Sequence, residues 1–203
     1  MPPEQRPIPR FVAEPPHDSF PYGRWADQLA ELFHEACREV DTEGEEIGEA
    51  REITWFPDRT FNRRTFIPAT APTSEGFELI GYVSFTRGED GEPTEFYADA
   101  DYTDETAADN PEWKLDLSDM EISGWDGPRN LSALFTLVWG VALVPSGALA
   151  TAELGPTTTD QCEVTEDRFT LVSLDGWTGD LLEVKLWGSG GDELASESLY
   201  EEE

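Results

Sequence analysis

The chain has 203 residues, 44 of them acidic and 13 basic, and its formal net charge at pH 7 is -31. This length suffices for one domain with a buried core, and the charge argues against direct binding to nucleic acid or to an anionic membrane surface. The acidity has two interpretations that the sequence leaves open: a generally acidic surface, such as salt adaptation produces, or a face directed at a partner.

Cys37 and Cys162 are too few for a disulfide framework and are typical of buried thiols in a reducing compartment, although one disulfide between them stays open. The N-terminus has no basic leader followed by an apolar segment, so no secretory signal is visible. We therefore expect a cytoplasmic protein.

The chain opens with a proline-rich segment and a helix. Residues 1–22 are predicted to form an extended arm, because proline lacks the backbone donor that helices and central strands need. The side chains that would fix this arm, either to the body or to a neighbouring subunit, are Phe11, Val12, Phe20 and Tyr22. Between Arg24 and Val40 apolar residues recur at i, i+4, i+7 and i+8, which predicts an amphipathic helix.

After short strands predicted at Glu52 to Phe56 and Thr65 to Ala69, three longer β-strands are expected. Phe77 to Arg87 and Thr94 to Thr103 alternate apolar and polar residues, and the glycine-containing segment 88–93 predicts a hairpin loop between them. A third alternating stretch, from Trp113 to Ile122, changes parity near Ser118 and Asp119, which indicates a β-bulge. We expect the three strands to form a meander with one buried face.

The longest apolar run is Leu131 to Val144. Asn130 before it suits a helix N-cap and Pro145 suits a stop, so we predict a buried central helix, with a fully buried strand as the alternative that Gly140 favours. Membrane spanning is disfavoured because the run ends well short of about 20 residues.

Short strands are predicted over 148–154, 162–165, 169–174 and 181–187. The fold class expected is therefore α+β: a single domain, residues 23–188, in which a mainly antiparallel sheet of six to eight strands packs against the N-terminal helix and the central helix. Residues 189–203 form an acidic tail that we expect to be loosely attached.

The outward face of the second hairpin strand carries a row of acidic groups. Residues two apart on a strand are about 6.6 Å apart, so the side chains form an evenly spaced ladder that a basic partner could recognise, although charge on an edge strand also discourages aggregation. The candidate partner-binding residues are Glu95, Tyr97, Asp99, Asp101, Asp104 and Glu105, together with Trp125 and Trp177, which lie in turn segments and are expected to be exposed.

Arg59, Arg63 and Arg64 form a basic cluster. Their guanidinium groups could clamp an anion, or could simply neutralise neighbouring acids. No motif for nucleophilic catalysis, nucleotide binding or zinc coordination occurs, so no catalytic residue, metal or cofactor is assigned.

The function expected is a non-enzymatic, acidic interaction module that binds a basic protein, as an inhibitor, immunity or accessory component does. One alternative is a hydrolase, or a protein binding a small ligand or carbohydrate, that uses paired carboxylates with exposed tryptophans. A second alternative is a structural subunit whose arm threads a neighbour.

Overall fold

A computed structural model describes residues 7–16, 24–127 and 131–200. Within them the chain forms one helix, α1 (Arg24–Glu39), and thirteen strands that pair antiparallel in three sheets. The protein is therefore sheet-rich, with a single helix in place of the two expected.

The first sheet has the order β1-β3-β4-β5, with β2 also pairing β3. Its strands are β1 (Thr54–Trp55), β2 (Arg59–Phe61), β3 (Arg64–Pro72), β4 (Glu78–Arg87) and β5 (Pro93–Thr103).

The second sheet has the order β10-β7-β6, and the third β11-β12-β8-β9 with β13 also pairing β12. The strands of the second sheet are β6 (Leu115–Asp126), β7 (Ser132–Ala142) and β10 (Arg168–Leu174). Those of the third are β8 (Gly147–Leu154), β9 (Thr157–Glu163), β11 (Gly176–Trp177), β12 (Asp180–Gly188) and β13 (Glu193–Ser198).

Helix α1 covers one face of the first sheet. The i, i+4, i+8 residues Leu29, Phe33 and Cys37 are buried against alternate residues of β3 and β4, among them Val83 and Phe85. This confirms the amphipathic helix and the inward face of the predicted hairpin.

The second sheet packs against both other sheets. The Phe135 ring lies 4.5 Å from that of Phe61 in the first sheet, while the core cluster of β7 extends to Leu182 and Val184 of the third. Because both faces are covered, β7 is buried on both sides through most of its length.

The predicted central helix is wrong: residues 132–142 form β7, the middle strand of the second sheet. An element packed on both faces is apolar all round whether it is a helix or a strand, so the pattern did not distinguish them. Asn130, the expected N-cap, lies outside the described residues.

Three further expectations are corrected. Strand β6 pairs with β7 and not with β5, so the meander ends at β5 and does not include the third predicted strand. The bulge in β6 falls between Glu121 and Ser123, a few residues beyond the predicted position. Residues 189–200 are not a loose tail, because β13 pairs with β12 and buries Ala195.

The described part of the arm, residues 7–16, lies on the body of its own chain. The Phe11 ring contacts those of Phe61 and Phe135, and the Glu14 N–H donates to the Thr60 carbonyl. Val12, the second anchor expected, is instead 81% exposed and fixes nothing. Phe20 and Tyr22, the remaining two, lie outside the described residues.

Candidate functional site

Strand β5 is the last strand of the first sheet, and its two faces differ. Phe96, Ala98, Ala100 and Tyr102 turn toward α1 and its core cluster. The intervening residues Tyr97, Asp99 and Asp101 lie in register with Ser84, Tyr82 and Ile80 of β4. The outward row predicted from the alternation is therefore present from residue 97 to residue 101.

The start of the row is interrupted by a bulge. The pairing of β4 with β5 shifts between Ser84 and Thr86, and Glu95 adopts a positive φ of 52°. The Glu95 carboxylate accepts a 2.9 Å hydrogen bond from the Thr86 hydroxyl, and its carbonyl accepts one from Arg64. Glu95 therefore does not continue the even spacing of the row.

Two carboxylates of the row accept hydrogen bonds from backbone amides of β5. Asp99 accepts the N–H of Ala100 at 3.1 Å, and Asp101 accepts the N–H of Tyr102 at 2.8 Å. Because β5 is an edge strand, these bonds occupy amides that another strand would otherwise seek. The row therefore protects the sheet edge as well as carrying charge.

Around Tyr102 the end of β5 meets the loop that follows α1. The Tyr102 hydroxyl donates to the Thr42 carbonyl at 3.3 Å. Burial first, and then four neighbouring carboxylates, raise the pKa of the Tyr102 hydroxyl above its ordinary value. These carboxylates, which we call the acidic patch, belong to Glu43, Glu45, Asp101 and Asp104.

The acidic patch is exposed, and no cation in the part of the chain that the structure describes neutralises it. All four side chains are exposed, and no lysine or arginine in the described residues forms an ion pair with any of them. Glu105, which follows Asp104 beyond the end of β5, is also exposed. Such a surface attracts cationic groups over several ångströms at low ionic strength.

Two of the four carboxylates of the acidic patch, those of Glu43 and Glu45, were not predicted from the sequence. Glu43 and Glu45 are about 60 positions from Asp101, and their placement depends on the turn at Glu43 and Gly44, which both adopt positive φ. The density of acids between Asp41 and Glu46 was the available signal, but nothing local indicated which strand that loop would meet.

The three arginines of the predicted anion site do not converge. Arg59 is buried, and its guanidinium pairs with Asp160, so it is not available to an external anion. Arg63 is exposed in the two-residue turn between β2 and β3, and half-buried Arg64 donates to the Ser84 hydroxyl and the Glu95 carbonyl.

Trp125 and Trp177 are placed together but away from the row. Their rings meet edge to face at 5.1 Å, and both belong to the core cluster of the second and third sheets. Trp177 is 6% exposed, which contradicts its expected exposure, and Trp125 is half-buried.

Several carboxyl groups are perturbed in the way that acid–base catalysis requires. Burial raises the pKa of Glu78, of Asp116 and of Asp119. However, none of the three lines either of the two grooves described, which border β8–β9 and the arm. Asp160, whose pKa is also raised by burial, does line the groove beside the arm, but its carboxylate is paired with Arg59. Neither described groove therefore places a substrate beside Glu78, Asp116 or Asp119.

Within the described residues no group of three or more His, Cys, Asp or Glu side chains is placed to hold a metal ion. Nor does any described helix have the length and apolar character needed to cross a bilayer. Comparisons with protein-family models, with curated proteins and with solved structures find no match for this chain.

Proposed function

We propose that this protein is a non-enzymatic interaction module whose acidic patch binds a basic protein, as an inhibitor, immunity or accessory component does. The observation that carries the proposal is the convergence of carboxylates from two distant segments on one exposed surface, where no lysine or arginine among the described residues forms an ion pair with them. Like charges brought together in this way destabilise the free protein and are relieved when a cationic surface covers them.

Two features of the patch support a protein partner. The neighbouring Tyr97 side chain is 53% exposed, and an exposed tyrosine next to charges supplies contact area with little loss of conformational entropy. The patch also lies on strand β5 and a loop fastened to it by Tyr102, so the carboxylates are presented on a defined surface. Electrostatic complementarity of this kind sets the association rate and the choice of partner.

We place this binding in the cytoplasm. Cys37 and Cys162 are both buried free thiols, and burial raises the pKa of each, to about 11 for Cys37. Buried, protonated thiols that are not paired suit a reducing compartment.

The test compares two variants of equal net charge. The patch variant carries Glu43→Gln, Glu45→Gln, Asp101→Asn and Asp104→Asn. The control variant carries Glu112→Gln, Glu121→Gln, Glu163→Gln and Glu197→Gln, which remove four exposed carboxylates elsewhere. The wild-type protein and both variants are immobilised, and native lysate is passed over each at about 50 mM salt.

We expect a basic protein to be retained by the wild type and the control and released by salt. Its Kd for the patch variant, measured with the purified partner by calorimetry, should rise at least about fourfold, because four exposed pairs of about 0.2–1 kcal/mol each are lost. Equal retention of every basic protein by the two variants would refute the proposal in favour of general surface acidity.

A further inference from the structure

A groove of about 440 Å³ runs along the outer face of the third sheet. The antiparallel register places Leu149, Thr151 and Glu153 of β8 on this face, while Ala150, Ala152 and Leu154 point into the core. The groove also touches Gln161 and Thr158 of β9 on one side and Trp187 of β12 on the other. Its volume lies within the roughly 300–1,000 Å³ of small-molecule sites.

The Trp187 indole is fixed in place before any ligand arrives. Its Nε1 donates to the Thr151 hydroxyl at 2.9 Å, and that hydroxyl donates to the Glu153 carboxylate at 3.1 Å. Although Thr151 is on the outer face, it is only 5% exposed. The hydrogen-bonded indole therefore forms a pre-organised aromatic wall, so binding a ligand loses little free energy to ordering this side chain.

The carboxylate in the groove is already engaged. One Glu153 oxygen accepts from Thr151, and the other lies 3.2 Å from the Lys185 ammonium. Lys185 also contacts Glu183 and Glu193, and its hydrogen bond with Glu153 raises its pKa, so it stays charged. Glu153, the only carboxylate that lines this groove, is therefore ion-paired and hydrogen-bonded through both oxygens, and the groove's other lining groups are uncharged.

The opposite side of the groove offers neutral hydrogen-bonding groups. The Gln161 and Thr158 side chains are exposed, and neither makes a hydrogen bond with other described residues. Beyond Trp187, the tight turn formed by Gly188 to Gly191 lets a ligand approach the backbone, since Gly191 has a positive φ of 84° and no side chain. An amide, hydroxyls and one aromatic face suit a neutral molecule with apolar ring faces and many hydroxyl groups.

We propose that this groove binds a neutral saccharide, with one sugar ring stacked on Trp187 and its hydroxyl groups bonded to Gln161 and Thr158. The site is separate from the acidic patch, so a protein partner and a saccharide would be bound independently. Because the ligand is uncharged, its affinity should not fall between 0.1 and 1 M salt, whereas binding through the acidic patch should.

The experiment screens the full chain on an array of neutral glycans and measures each hit by isothermal titration calorimetry. Two variants report on the groove. Trp187→Ala removes the stacking face, and Gln161→Ala removes an exposed amide without disturbing packing. Trp113→Ala, at a half-buried tryptophan outside the groove, is the matched control.

We expect at least one neutral glycan to bind, with a Kd raised tenfold or more by Trp187→Ala, severalfold by Gln161→Ala, and unchanged by Trp113→Ala and by salt. Absence of any bound neutral glycan overturns the proposal. So does a hit whose affinity is unaffected by Gln161→Ala and Trp187→Ala, or binding of tetramethylammonium chloride in place of glycans. These outcomes leave the acidic patch untouched, because its variants and its salt dependence are measured separately.

Discussion

The guanidinium of Arg59 reaches from the first sheet into the gap between the other two. It donates to the Asp160 carboxylate of β9 and, at 2.9 Å, to the Gln161 carbonyl. Asp160 in turn accepts the backbone N–H of Val172 in β10 at 2.9 Å. Burial raises the pKa of Asp160, while the charge of Arg59 and the bond from Val172 oppose that rise. One buried ion pair thus joins all three sheets.

We predict that breaking this pair strongly destabilises the fold. The two side chains are 4% and 9% exposed, so Arg59→Met or Asp160→Asn alone should lower the free energy of unfolding by about 3–5 kcal/mol, because the remaining group is buried without its partner. The double variant should lose less than the sum, with a coupling of about 0.5–3 kcal/mol. Urea unfolding measures all three.

Arg63→Met serves as the control, since Arg63 is exposed in the adjoining turn and its replacement should change stability by no more than about 0.5 kcal/mol. A similarly small effect of Arg59→Met would contradict the proposed role of the pair. The sequence indicated an arginine cluster but not this partner, because Asp160 lies about 100 positions away and only the packing of three sheets brings it close.

The sequence of strand β7 does not distinguish a strand from a helix. Helix α1 and strand β5 each leave one face largely in solvent, so their periods of 3.6 and 2 are visible in the sequence. Strand β4 also alternates in sequence, although residues 81–85 are buried on both faces. Strand β7 has no such face, since its residues from Phe135 to Gly140 are buried on both sides. No alternation of apolar and polar residues is therefore visible in its sequence. Gly140 was the one residue within the run that favoured a strand.

Gly140 is required by close approach and not by backbone conformation. A Cβ at this position would meet the Asp116 carbonyl of β6, and would lie 2.7 Å from a Leu117 methyl and 3.1 Å from the Phe169 ring. We predict that Gly140→Ala destabilises the protein by about 1–3 kcal/mol, because β6 must move away or the ring must leave its position. Thermal and urea unfolding provide the measurement.

Gly124→Ala is the matched control in the same sheet. Gly124 lies in β6, and a Cβ there has no atom within 4 Å, so the change should be neutral or slightly stabilising, by up to about 1 kcal/mol, because alanine restricts the unfolded chain. If Gly140→Ala were as well tolerated as Gly124→Ala, the close packing of β6 on β7 would be wrong.

At the scale of the whole molecule the dominant property is charge. The sequence gives its total of -31 and, through the alternation of β5, the row from Tyr97 to Asp101. The sequence does not predict the acidic patch, because the patch depends on a loop that meets a distant strand. It does not predict the proposed saccharide groove either, because Trp187, Thr151 and Gln161 become neighbours only through the register of three strands. Local periodicity is encoded locally, whereas sites are made by pairings between segments far apart in the chain.

We predict that stability rises as the pH falls from 7 to 5 and as salt is added at pH 7. Burial makes the folded-state pKa of Glu78, Asp116 and Asp119 higher than in the unfolded chain, so the folded protein takes up protons more readily and gains stability as the pH falls toward those pKa values. Protonation also reduces the repulsion among the 44 acidic groups. Each kcal/mol gained would raise Tm by roughly 2–4 °C for a chain of this size. Calorimetry at pH 7 and pH 5, each at 0.1 and 1 M sodium chloride, tests this, and the salt effect should shrink at pH 5 because fewer charges remain to be screened.

A Tm that falls between pH 7 and pH 5, or that does not change with salt at pH 7, would show that the carboxylates are compensated within the fold. The acidic patch would then have no excess charge with which to attract a partner.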